Sequence, residues 1–89
     1  MSYKIEISDI VRKTLRKMDS TSRKRILSYS AGVLAKIDTP RLLGKALTGN
    51  FGEFWRYRTG NFRIICKIDD DRLIVLVVKV AHRKDVYRD

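Results

Sequence analysis

The stretch Phe54-Trp55-Arg56-Tyr57-Arg58-Thr59-Gly60-Asn61-Phe62-Arg63-Ile64-Ile65-Cys66-Lys67-Ile68 decides how this chain folds. Side chains of a β-strand alternate between its two faces. Trp55 and Tyr57 therefore point one way, toward a core, and Arg56 and Arg58 the other. In 62–68 the same rule groups Phe62, Ile64, Cys66 and Ile68 against Arg63, Ile65 and Lys67. Any two-residue turn through Thr59-Gly60 or Gly60-Asn61 pairs even positions of the first run with odd positions of the second, which sets Arg56, Arg58 and Arg63 side by side. A three-residue turn would scatter them. Gly60 favours the two-residue loop, whose backbone needs a positive φ.

Working outward, residues 73–80 form a third strand, apolar on both faces and so expected in the sheet's interior, after a turn at Asp69-Asp70-Asp71. On the N-terminal side, Tyr3, Ile5 and Ile7 alternate with Lys4 and Glu6 in a short edge strand. Ser8 offers an N-cap with Asp9 in the first turn, and Val11, Leu15 and Met18, supported by Ile10, give a helical stripe. A second helix fits 21–37, with Ile26, Val33, Leu34 and Ile37 on one face and Leu27 beside them, and Thr39-Pro40 ends it. The expected fold is α+β: a small antiparallel β-sheet with an N-terminal two-helix hairpin packed on one face, in the order β-α-α-β-β-β. It is expected to be a single domain over residues 1–89.

The 89 residues leave room for one core only, and a hydrophobic fraction of 44% against 34% charged residues suits a folded domain rather than a basic tail. Twenty Lys plus Arg against ten Asp plus Glu give a formal charge of +10, which points to an acidic polymer or acidic protein as partner. A single Cys and a single His cannot supply a zinc site, so no metal and no cofactor is expected. The lone Cys66 excludes an internal disulfide and suits a reducing cytoplasm. No apolar run approaches the ~20 residues of a membrane span, and the N-terminus lacks the apolar core of a signal peptide. The expected location is cytoplasmic.

Three arginines on one sheet face read either as an ordinary solvated face or as a receiver of phosphates. The helix cations Arg12, Lys13, Arg16, Lys17, Arg23, Lys24 and Arg25 read as solvated, and the Asp69–Asp71 run as a turn. The tail after the last strand holds His82, Arg83 and Tyr87, and one helical turn there would put Arg83 and Tyr87 on a shared face. Clustered cations stabilise a phenolate. No nucleophile elbow, carboxylate pair or phosphate-cradling glycine loop accompanies them. Arginines with one His and one Tyr support phosphodiester cleavage in which an RNA 2′-OH attacks its own phosphate.

Lys45-Ala46-Leu47-Thr48-Gly49, Trp55-Arg56-Tyr57-Arg58, Gly60-Asn61-Phe62-Arg63-Ile64-Ile65 and Ala81-His82-Arg83-Lys84-Asp85-Val86-Tyr87, in this order and spacing, resemble the RelE branch of the RelE/ParE toxin superfamily over nearly the whole chain. The resemblance implies a toxin of a toxin–antitoxin system, a metal-independent endoribonuclease (mRNA interferase) that cleaves mRNA in the A site of the 70S ribosome. It also implies a cognate antitoxin as protein partner. By position, Lys45, Arg56 and Arg58 would grip the RNA backbone, Arg63 and Arg83 stabilise the transition state, Tyr87 act as general base, and His82 take part in proton transfer. Arginines stand where some members have lysines, and the Arg83-to-Tyr87 interval is shorter than in some members. Two other readings stay open: a ParE-type toxin that poisons DNA gyrase, and a basic module that binds RNA without cutting it.

Overall fold

A computed structural model describes residues 3–36, 39–47 and 54–82. Strand β1 (Lys4–Ile7) leads into helices α1 (Asp9–Lys17) and α2 (Ser20–Gly32) and two 3₁₀ turns, Leu34–Lys36 and Pro40–Leu42. Strands β2 (Lys45–Ala46), β3 (Phe54–Thr59), β4 (Phe62–Asp69) and β5 (Ile74–His82) follow. Both helices start as their caps dictate. The Ser8 side chain accepts from the Val11 N–H, and Asp19 Oδ2 accepts from the Ser22 N–H at 3.0 Å, each satisfying one of the first-turn donors that have no partner within the helix.

The five strands form one sheet in the order β1-β5-β4-β3-β2. The sheet is mixed rather than antiparallel throughout: β1 is the expected edge strand, but it runs parallel to β5, with Lys4 opposite Ile74 and Ile7 opposite Val77. Alternation tells which side chains a strand buries and not which neighbour it pairs with; the long helical connection after β1 permits the parallel pairing. The helix hairpin covers one face. Val11, Leu15, Ile26 and Leu34 join Tyr57, Ile64, Cys66, Val75, Val77 and Val80 in a single core.

Two local expectations are corrected and a third is refined. Helix α2 ends at Gly32 and the chain tightens into a 3₁₀ turn, so Leu34 stays buried while Val33 turns outward at 38% exposure; Ile37 lies outside the described residues. Ile10 and Leu27 also face outward, at 72% and 39% exposure. Of the two strand-run aromatics, Tyr57 is the buried one at 1%. Trp55, nearer the start of β3, is half-buried under the Arg41 guanidinium, 5.6 Å from the ring centroid.

The Asp69–Asp71 run does more than turn the chain. Asp69 Oδ1 accepts from the N–H groups of Asp71 and Arg72, in a four-residue loop where Leu73 takes a φ of 55°. Asp70 accepts both Arg41 Nη1 and Nη2 at 2.8 Å and the Tyr3 hydroxyl at 2.6 Å, tying the segment after α2 and the entrance to β1 to the β4–β5 loop. These bonds, Arg41's first and Tyr3's second, hold the Asp70 carboxyl down to about 2. A depressed carboxylate stabilises the fold fully above its unfolded value of about 3.9 and loses that contribution as it is protonated. The melting temperature is therefore expected to fall between pH 4 and pH 2 through this group, and less steeply in Asp70→Asn. Equal slopes in the two proteins would show that the cluster does not contribute.

Candidate nucleic-acid interface

The β3–β4 loop is the two-residue form. Thr59 pairs with Phe62 across Gly60-Asn61, and Gly60 takes a φ of 59°. A Cβ there would lie 2.6 Å from Arg25 Nη1, so the exposed Arg25 of α2 lies along the turn. Arg12, also exposed, and the half-buried Arg23 donate to the carbonyls of Ile7 and Leu15 at 3.3 and 3.4 Å.

With that loop, Arg58 lies directly opposite Arg63, and Arg56 opposite Ile65. Lys45 of β2 pairs with Arg56. All four cations thus share the face away from the helices, and they line one cavity of about 220 Å³ together with Leu43 and Tyr57. Among the described residues, no carboxylate lines it. Arg58 and Lys45 are exposed and Arg56 is half-buried. Arg63 is 2% exposed. The sequence reading offered a solvated triplet or a phosphate receiver, and Arg63 fits neither a simple wet face nor a scattered one. It sits on β4, the middle strand of five, where neighbours on both sides fill the space around it. A guanidinium does not lose its proton, so burial places a fixed positive charge where water screens it little.

Tyr57 touches this cavity, but its hydroxyl is committed. It donates to the Pro40 carbonyl at 2.7 Å, and burial, with smaller effects from Cys66 and Tyr29, pushes the phenol far above its usual range. It stays protonated at neutral pH and belongs to the framework. Burial likewise pushes the Cys66 thiol up to about 12.

Not every residue named from sequence gathers here. His82 pairs with Phe62 and stands edge-on to its ring, centroids 5.5 Å apart, on the helix-bearing side. Arg83 and Tyr87 lie outside the described residues. The reason for His82's placement is a β-bulge. Ile65 pairs with Lys79 but Cys66 pairs with Val77, leaving Val78 as the extra residue. Strict alternation would group Val75, Val77 and Lys79. The bulge instead keeps Val75 and Val77 in the core, brings Val80 in at 7% exposure, and turns Lys79 outward to the arginine face. Sequence reasoning missed Lys79; the signal was one lysine inside an otherwise apolar run.

A family model described as the ParE toxin of type II toxin–antitoxin systems, parDE, matches residues 5–87. The chain belongs to the RelE/ParE toxin superfamily. It is thus a toxin of a toxin–antitoxin system. The toxin is 27% identical over 88 residues to Toxin RelG of Mycobacterium tuberculosis, covering 99% of each chain. Its fold is similar to that of a chain in a RelBE toxin–antitoxin complex from the same organism, with a TM-score of 0.85, 24% identity, and coverage of 93% of this chain and 100% of that one. An arginine-to-alanine double mutant of E. coli toxin RelE, solved with an antitoxin RelB peptide, superposes with a TM-score of 0.71 at 25% identity, covering 98% of this toxin and 92% of that chain. No helix among the toxin's described residues is long and apolar enough to cross a membrane.

Proposed function

We propose that this toxin is a RelE-type endoribonuclease that cuts mRNA in the ribosomal A site and thereby stops translation. The observation that carries the reading is the cavity walled by Lys45, Arg56, Arg58 and the buried Arg63, with no carboxylate among the described residues that line it. A phosphodiester is the ligand such a wall attracts, and a fixed guanidinium in a poorly screened position stabilises the charge that builds on a phosphorane.

In the proposed reaction the 2′-oxygen forms a bond to the adjacent phosphorus and the bond from phosphorus to the 5′-oxygen breaks. Tyr87 takes the 2′ proton, a proton passes to the leaving 5′-oxygen, and the products are a 2′,3′-cyclic phosphate and a free 5′-OH. Arg63 and Arg83 hold the phosphorane while Lys45, Arg56 and Arg58 hold the flanking backbone. His82, the expected donor to the leaving oxygen, stands edge-on to Phe62 on the helix-bearing side and away from the cationic cavity, so water is the proposed source of that proton; a rate lost in a folded His82→Ala would return the role to the imidazole. The proposed site of action is the cytoplasm, and the proposed protein partner is a cognate antitoxin, as in the complexes of the similar M. tuberculosis and E. coli toxins.

Two features of the test separate this reading from others. Expression should arrest translation and leave messages cut with the end groups above, and a single 2′-deoxy substitution at the cut site should prevent cutting. The family model's ParE description supports a second reading, gyrase poisoning; DNA breaks with intact messages would establish it instead. Arg56→Ala and Arg58→Ala should each weaken RNA engagement across sequences, since phosphate contacts do not read bases. Both should melt at the wild-type temperature. A fall in melting temperature without loss of binding would contradict the assignment.

A further inference from the structure

The bulge at Val78 lets β5 bury Val75, Val77 and Val80, where strict alternation would turn Lys79 into the core behind Val75 and Val77. The same extra residue brings Lys79 beside Ile65 on the open face. Resting on the RNA-cutting reading above, we propose that Lys79 is a further phosphate-binding residue, and that the bound RNA strand crosses the β-strands along the row Lys45, Arg56, Ile65, Lys79 rather than running parallel to them.

The row is fixed by pairing: Lys45 opposite Arg56, Arg56 opposite Ile65, Ile65 opposite Lys79. Three strand spacings of about 4.8 Å each make it roughly 14 Å long, room for a short run of nucleotides rather than one phosphate. Cations stand at both ends, and Ile65, 9% exposed, gives a low apolar floor between them. The neighbouring row toward the β3–β4 loop adds Arg58, Arg63 and the small Ala81, which leaves space above it. The next row the other way, Phe54, Lys67, Leu76 and Glu6, holds a single cation and a carboxylate, against the five cations Lys45, Arg56, Lys79, Arg58 and Arg63 of the other two rows together. Positive charge is therefore concentrated across the sheet near the loop, and Lys79 is what extends it past β4. An acidic protein segment would meet the same charges, but the alternation of cation, apolar floor and cation suits the phosphates and bases of a nucleic-acid strand.

The test uses the full chain and a fluorescein-labelled, 2′-O-methylated ten-nucleotide uridine RNA, with binding followed by anisotropy from 50 to 200 mM salt. Lys79→Ala is expected to bind about tenfold more weakly at low salt, with a salt slope shallower by about 0.7, the loss of one single-strand phosphate contact. Lys79→Arg should restore both, and Lys13→Ala on the helix side should change neither. Wild-type affinity and slope in Lys79→Ala, beside weakened Arg56→Ala, would overturn the crossing path while leaving the RNA reading in place. The same holds if Lys79→Ala loses antitoxin binding alone. Failure of the wild-type protein to bind the RNA at any salt would overturn both. Circular dichroism of each variant separates lost contacts from lost fold.

Discussion

Tyr87→Phe is expected to abolish most cutting, by on the order of 10²- to 10⁴-fold, while ribosome binding persists. The substitution keeps the ring and removes only the hydroxyl, so it isolates proton transfer from packing. A phenol near its unperturbed pKa of about 10 is a weak base at pH 7, and the expected effect depends on cations lowering that value. The cations within the described structure are Lys45, Arg56, Arg58 and Arg63 around one cavity. Single-turnover cleavage of a ribosome-bound message, compared with cosedimentation of the same variant, gives the two readouts. Wild-type cutting in Tyr87→Phe would move the base to another group, and a parallel loss of ribosome binding would make Tyr87 a binding residue.

Tyr57, which lines the cationic cavity, is expected to behave in the opposite way. Tyr57→Ala should destabilise the fold by about 3 to 5 kcal/mol, the range for deleting a large buried aromatic. Tyr57 is 1% exposed within the core and packs 6.4 Å, centroid to centroid, from the tilted ring of Tyr29. Its ring also fills the space over Gly44, where a Cβ would come within 2.9 Å of it. A small domain has roughly 5 to 15 kcal/mol in total, so Tyr57→Ala should leave much of the chain unfolded at 37 °C. Tyr57→Phe keeps the ring and gives up the hydroxyl's bond to the Pro40 carbonyl, for about 1 kcal/mol. Denaturant melts of the two variants check this. A loss under 1 kcal/mol for Tyr57→Ala would mean the ring is not a core anchor, and a cleavage defect in a fully folded Tyr57→Phe would give its hydroxyl a chemical role.

Much of this was legible before any coordinates, and the reasons differ by element. Ser8 sits immediately ahead of α1 because capping is local chemistry, and the Gly60-Asn61 loop follows from the backbone geometry that glycine supplies. That loop, together with strand alternation, places Arg56, Arg58 and Arg63 on one face. The burial of Arg63 was not legible, since it depends on how many strands flank β4. Nor was the Asp70 cluster, whose members Tyr3, Arg41 and Asp70 are far apart in sequence. The bulge at Val78 was hidden for a different reason: a run of valines looks the same in either phase, and only Lys79 and His82 reveal that the phase changes. Half-burial of Trp55 likewise follows from Arg41 reaching over its ring, a contact between segments that alternation does not describe.

The parallel pairing of β1 with β5 bears on how the molecule comes into being. Strand β1 has no hydrogen-bonded neighbour until β5, made after every other described strand, has emerged, since Lys4 meets Ile74 and Ile7 meets Val77. Pairings of such high sequence separation form late and slowly. The helix hairpin meanwhile has only part of the sheet to pack against, because Val75, Val77 and Val80 of β5 belong to the same core as Val11 and Leu15. A nascent chain halted before β5 therefore lacks both the central packing and the Lys79 end of the cationic row. Competence arrives as a single event, when β5 emerges and joins β1 and the helices at once.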